Sequence, residues 1–309
     1  MLVNPTACAS VAAFPRTVKA GGGSVIASQM RPTPPDSSVD ILRSNFENDG
    51  YLYVKGYLDR RDVLKARQRI LSDMRGNGFV GSHHGADLAS QADILELERD
   101  GQGPQLLNRQ ELARAEPVLN VLEHPKLFEL LEAVFSPCAS AGCDGETRRK
   151  ATKSAASPLT IRAHPYKWLR AVPPGQNTGP HIDKVYFPHL QTIWLPLDDI
   201  QTSLGSLLLV PGSHTSPAFS HLHGTYGNSS VGKDGTVSGY LCADPNEIAS
   251  KFNVTDSTAL HWVTDDMEMG DVILVNNRTI HCSATNVSAP PRWRISCDTR
   301  WFVSESREP

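Results

Sequence analysis

Two histidines and an aspartate carry the spacing in this 309-residue chain that points most directly to chemistry. His181-Ile182-Asp183 sets an imidazole and a carboxylate two positions apart, so in extended backbone both project from the same side. His281 follows an apolar stretch, Val272-Ile273-Leu274-Val275, that reads as a strand. Two imidazoles and one carboxylate form the facial set that holds non-haem Fe(II) and leaves three positions of an octahedral metal open. Arg292 stands eleven positions beyond His281, within Arg292-Trp293-Arg294-Ile295-Ser296. A guanidinium fork fixed near such a metal suits the distal carboxylate of a dicarboxylate cosubstrate. Arg294 shares the face of Arg292 if that strand is regular. An H-x-D pair alone has an ordinary explanation as a surface turn. The metal reading rests on its conjunction with a strand-borne histidine and the following arginine.

These residues need a frame, and the second half of the chain supplies a strand-rich one. Leu159–Arg162, Tyr166–Val172, Leu190–Leu197, Ser206–Val210, Asp271–Val275 and Trp293–Val303 read as strands. Turns such as Pro173-Pro174-Gly175 and Pro211-Gly212-Ser213 separate them. The first half reads as helices. One follows a capping box at Ser37–Asp40 and ends at Gly50, and another stacks Val63, Arg67, Ile70 and Met74 on one face. Two more are expected near 109–116 and 124–135. Helices first and strands afterwards predict an α+β chain, mainly β, with a jelly-roll core braced by N-terminal helices. Residues 36–309 are expected to form a single domain. Residues 76–104 read as a long surface loop or lid, and 136–158 as a flexible insertion. Residues 1–35 hold Arg16, Lys19 and Arg31 without Asp or Glu, and read as a disordered tail or a transit segment.

Around the H-x-D pair the sequence resembles the phytanoyl-CoA dioxygenase family of Fe(II)/2-oxoglutarate oxygenases. The resemblance rests on His181-Ile182-Asp183-Lys184-Val185-Tyr186-Phe187-Pro188, on Trp194, on Gly205-Ser206-Leu207 and on Pro211-Gly212-Ser213-His214. It ends with His281-Cys282-Ser283, Asn286 and the Arg292-x-x-Ile295-Ser296 strand. It implies a double-stranded β-helix of cupin-like form, with His181, Asp183 and His281 as iron ligands. It also implies Arg292 as the clamp for the far carboxylate of 2-oxoglutarate, Ser283 as a hydroxyl near that carboxylate, and Trp194 as a wall of the cosubstrate pocket. Fe(II), 2-oxoglutarate and O₂ are then the expected cofactor and cosubstrates. Because the carboxylate Asp183 is present, hydroxylation is favoured over halogenation.

Composition narrows the classes further. Hydrophobic residues make up 39% and charged residues 20%, enough to build a core and too apolar for wholesale disorder. Thirty basic against 33 acidic residues leave no broad basic surface, so no nucleic-acid partner is expected. No apolar run is long enough to span a membrane. Six cysteines without C-x-x-C spacing suggest reduced thiols and an intracellular, cytoplasmic setting, with an organelle as the alternative through the basic N-terminus. The expectation is a dioxygenase that oxidises a small organic substrate and releases succinate and CO₂. The alternative is a catalytically silent jelly roll that binds metal and 2-oxoglutarate for sensing or scaffolding. Neither substrate nor oligomeric state is written in the motifs.

Overall fold

The structure, a computed structural model, describes residues 13–76, 106–136, 159–231 and 239–305. The expected lid and insertion lie outside these residues except for Gly76 and Ser136. Among the described residues, strands form two sheets. The larger runs β3 (Tyr51–Val54), β9 (Val272–Val275), β6 (Leu190–Pro196), β11 (Arg294–Glu305) and β4 (Leu159–Ala163), with β5 (Trp168–Val172) also paired to β11. The smaller runs β1 (Arg16–Ala20), β2 (Gly23–Gln29), β8 (Trp262–Thr264), β7 (Leu207–Leu209) and β10 (His281–Ser283). This is the jelly-roll core that the sequence leads one to expect.

Alternation along the strands sorts the side chains between layers. Leu52, Val54, Val272, Leu274, Ile193 and Leu195 face the helices, whereas Tyr51, Tyr53, Ile273, Val275 and Trp194 face the smaller sheet. Helix α1 (Val39–Asp49) is capped by Ser38, whose hydroxyl accepts from the Ile41 amide, and closes at Gly50 with φ 74°. It presents Leu42 and Phe46 to the outer face of the larger sheet. Helix α2 (Arg60–Gly76) adds Val63, Ile70 and Met74, and the short α3 (Gln110–Ala113) adds Leu112. Helices α4 (Glu116–Leu122) and α5 (Pro125–Phe135) complete that layer. It is a brace against one sheet, as the sequence implied.

At the centre of the brace, Trp301 is fully buried, with the Phe128 ring edge-on at 4.8 Å. Trp301→Ala is expected to cost about 3–5 kcal/mol through lost burial and the cavity left behind. That is a large share of the roughly 5–15 kcal/mol available to a domain. Urea unfolding reads it directly, and an unchanged midpoint would remove this side chain from the core.

The N-terminal expectation is corrected for residues 16–29. They are not a tail but an antiparallel hairpin, and β2 pairs in parallel with β8 through Ala27↔Trp262. Val18, Ala20, Val25 and Ala27 point inward while the residues between them face out. Small inward residues gave the strands little hydrophobic signal. Gly21 turns the hairpin at φ 56°, where a Cβ would collide with the Ala243 carbonyl oxygen. The basic Arg16 is in use within the fold, at 2.9 Å from Asp266.

Two further strands, β8 and β10, went unread because three residues are too few to show a period. His223 is buried in the short helix α6 (Ser220–Gly224), where Nε2 lies 2.7 Å from the Ser213 carbonyl. His214, in the Pro211–His214 motif, lies with Nε2 3.0 Å from the Glu47 carbonyl.

Candidate metal centre

The triad is assembled by backbone pairing across the two ends of a long sequence separation. His181 and His281 form an antiparallel bridge, each amide donating to the other's carbonyl at 2.9 and 3.0 Å. This sets the imidazoles side by side, with ring centroids 4.2 Å apart. Ile182 is extended at φ −121° and ψ 139° and is buried in the apolar cluster behind the smaller sheet. Its neighbours His181 and Asp183 are thereby turned to the opposite side, as the two-residue period requires. A 3₁₀ turn then begins at Asp183.

Asp183 lies between the histidines. Its Oδ1 is 3.7 Å from His181 Nε2 and its Oδ2 is 3.8 Å from His281 Nε2. One donor atom from each of the three residues falls within 4.8 Å of the others, and all three side chains are buried.

The donor chemistry fits a divalent iron. His181 Nδ1 lies 2.8 Å from the Gly179 carbonyl and His281 Nδ1 lies 2.9 Å from the Thr279 carbonyl. A carbonyl only accepts, so both Nδ1 atoms carry the proton and both Nε2 lone pairs are left for a metal. Burial, reinforced by the neighbouring His181, pushes the His281 imidazole down to about 4, so it is neutral at neutral pH. Burial opposes the charge on Asp183, but Arg300 and the two imidazoles hold its carboxyl well below the usual range. Thr192 donates its hydroxyl to Asp183 Oδ2, and Arg300 Nη2 donates to Oδ1 at 3.1 Å. Arg300 itself packs against two rings that meet edge-on, its guanidinium carbon 5.1 Å from the Trp168 ring centre and 5.2 Å from that of Phe187. The carboxylate is thus fixed from both oxygens.

A cavity opens beside the triad. Trp194, Ser283 and Arg294 line it, along with His181 and His281. The Ser283 hydroxyl accepts from the Thr178 amide at 2.8 Å. Arg294 is buried on the inner face of β11, and its Nη1 donates to the Gly205 carbonyl at 2.5 Å. Among the described residues its Nε has no partner, and neither has the hydroxyl of Ser296 two residues along the same face. Burial, with Arg170 nearby, pushes the Arg294 guanidinium down to about 10. A buried cation with an unused donor is an anion site in waiting.

Among the described residues it is Arg294, and not the expected Arg292, that lines this cavity. Strand pairing to β5 begins at Arg294↔Val172, so Arg292 sits in the connection before the alternation starts. Asn286 holds its carbonyl at 2.6 Å and its amide donates to Ser288 Oγ at 2.9 Å. The Arg292 charge acts instead on Asp198, a buried carboxyl that burial raises and Arg67 and Arg292 pull back. A signal for the inward-facing arginine was present in the sequence. Arg294, Ser296, Asp298 and Arg300 alternate with Ile295, Cys297, Thr299 and Trp301, and the polar set is the inner face.

With this geometry in place, the comparisons are consistent. A model of the phytanoyl-CoA dioxygenase family matches residues 46–294, and the chain belongs to that family. Its members' fold and this donor set define it as a non-haem Fe(II)- and 2-oxoglutarate-dependent oxygenase. A 1-deoxypentalenic acid 11-beta-hydroxylase of Streptomyces exfoliatus is 25% identical over 276 residues, spanning 87% of this chain and 82% of that protein. The crystal structure of the non-haem alpha-ketoglutarate-dependent carbocyclase SnoK from nogalamycin biosynthesis is similar in fold. It superposes with a TM-score of 0.51 at 15% identity, over 88% of this chain and 87% of its own. No described helix is long and apolar enough to cross a membrane.

Proposed function

We propose that this enzyme hydroxylates a small organic substrate, with His181, Asp183 and His281 as the iron ligands. Arg294, with the Ser296 hydroxyl, holds the far carboxylate of 2-oxoglutarate, and Ser283 and Trp194 flank it. One observation carries the reading. Three metal-donor side chains and a buried arginine with an unpartnered nitrogen line or adjoin the same cavity. Iron with 2-oxoglutarate and O₂ supplies the oxidising chemistry, with succinate and CO₂ as coproducts. This chain's own residues do the rest. Gly179 and Thr279 keep the imidazole lone pairs aimed inward, and Arg300 and Thr192 fix the carboxylate. Burial keeps bulk water from competing for the arginine. Hydroxylation is the reaction carried over from the 1-deoxypentalenic acid relative, and the carboxylate at position 183 leaves no ligand place for a halide there.

Anaerobic Fe(II) titration with and without 2-oxoglutarate, followed by a succinate assay in air, tests the proposal. Succinate is expected only when Fe(II), 2-oxoglutarate and O₂ are all supplied. Iron binding without any succinate would sink it.

A further inference from the structure

Charge around the cavity does not balance. Arg170, Arg294 and Arg300 line it, against Asp298 in the lining and Asp183 behind Arg300. Three guanidiniums and two carboxylates leave one positive charge among the described residues. Under the proposed function, Fe(II) brings two positive charges and 2-oxoglutarate two negative ones, so the excess survives loading. An uncompensated charge in a shielded site is costly unless a ligand supplies the counter-charge.

The three arginines differ in what they have left to offer. Arg300 gives Nη2 to Asp183, and its Nε and Nη1, though without a partner among the described residues, are buried beside the Trp168 and Phe187 rings on a side chain only 4% exposed. Arg294 is deep and serves the cosubstrate under the proposed function. Arg170, on β5, uses only Nε, which donates to Asp298 Oδ2 at 2.8 Å. Its side chain is 25% exposed, and its Nη atoms bond to no described residue. Beside the triad, the Tyr186 ring lies 6.0 Å from the His181 ring and the Tyr240 ring 5.9 Å away. Tyr240 is 44% exposed, so apolar surface is on offer at the approach to the triad.

We infer that the primary substrate is a monocarboxylate with an apolar body, its carboxylate taken by Arg170 and its body by Tyr186 and Tyr240. The inference rests on the proposed function for the place of iron and 2-oxoglutarate. A planar fork with its two outer nitrogens available matches a carboxylate, and the neutral amide of the same acid cannot form the charged pair.

Anaerobic calorimetry on the full chain loaded with Fe(II) and 2-oxoglutarate tests this. The ligands are a panel of phenylalkanoates and n-alkanoates, each beside its primary amide, with 4-phenylbutanoate and 4-phenylbutanamide as the first pair. At least one acid is expected to bind about thirty-fold or more tightly than its amide. Arg170→Gln should erase that preference and Arg170→Lys should recover only part of it, while the 2-oxoglutarate Kd moves less than about two-fold. The acid–amide comparison on the unaltered protein needs no variant to fold.

A panel in which no acid outbinds its amide, including one in which nothing binds, overturns the inference. So does an Arg170→Gln variant that weakens 2-oxoglutarate as much as the acids, which would make Arg170 part of the cosubstrate site. If Fe(II) and 2-oxoglutarate themselves fail to bind together, the proposed function falls first, and the two failures are told apart.

Discussion

His281→Ala is expected to raise the Fe(II) dissociation constant by more than about 100-fold and to abolish succinate formation. Losing a residue that merely supports a metal ligand typically costs 10–100-fold, and loss of a ligand itself should exceed that. The fold should survive, because the bridge that positions His281 is made by backbone groups, which alanine retains. Asp183→Ala is a harsher change. It strips Arg300 of the nearer of its two carboxylate partners, leaving Asp298 at 3.9 Å, and breaking a buried pair from one side costs about 3–5 kcal/mol. Iron titration and urea unfolding on both variants separate ligation from stability. A His281→Ala protein with unaltered iron affinity would remove that residue from the ligand set.

The second large effect concerns the arginine. Arg294→Lys is expected to weaken 2-oxoglutarate by about thirty-fold to several thousand-fold, whereas Arg292→Lys should leave it nearly unchanged. Lysine keeps the charge but cannot present two parallel N–H donors to a carboxylate. Losing such a pair in a shielded site costs about 2–5 kcal/mol, and each 1.4 kcal/mol is a decade in affinity. Arg294 is buried in the cavity lining, and Arg292 lies before the strand, toward Asp198. Equilibrium binding of 2-oxoglutarate to the Fe(II) protein decides between them. The reverse ranking would return the clamp to Arg292, and equal small losses would assign it to another cation.

The triad was legible because its information is local. An H-x-D pair records a two-residue period, and a histidine after four consecutive apolar residues records a strand buried on both faces. The helices were legible for the same reason, since their apolar stripes recur within one turn. By itself the sequence determined the layer order, the family and the three candidate ligands.

Three things had to wait for the tertiary structure. The hairpin of β1 and β2 gains its reason to exist only from its parallel partner β8, more than 230 residues away. Which of Arg292 and Arg294 faces the cavity turns on where pairing with β5 begins, and a spacing counted from His281 carries no record of that register. Arg300, 117 residues from Asp183 in sequence, reaches its carboxylate because β11 lies beside β6, with Asp298 opposite Trp194. Register and long-range pairing are properties of two segments together. A one-dimensional pattern in either segment alone cannot hold them.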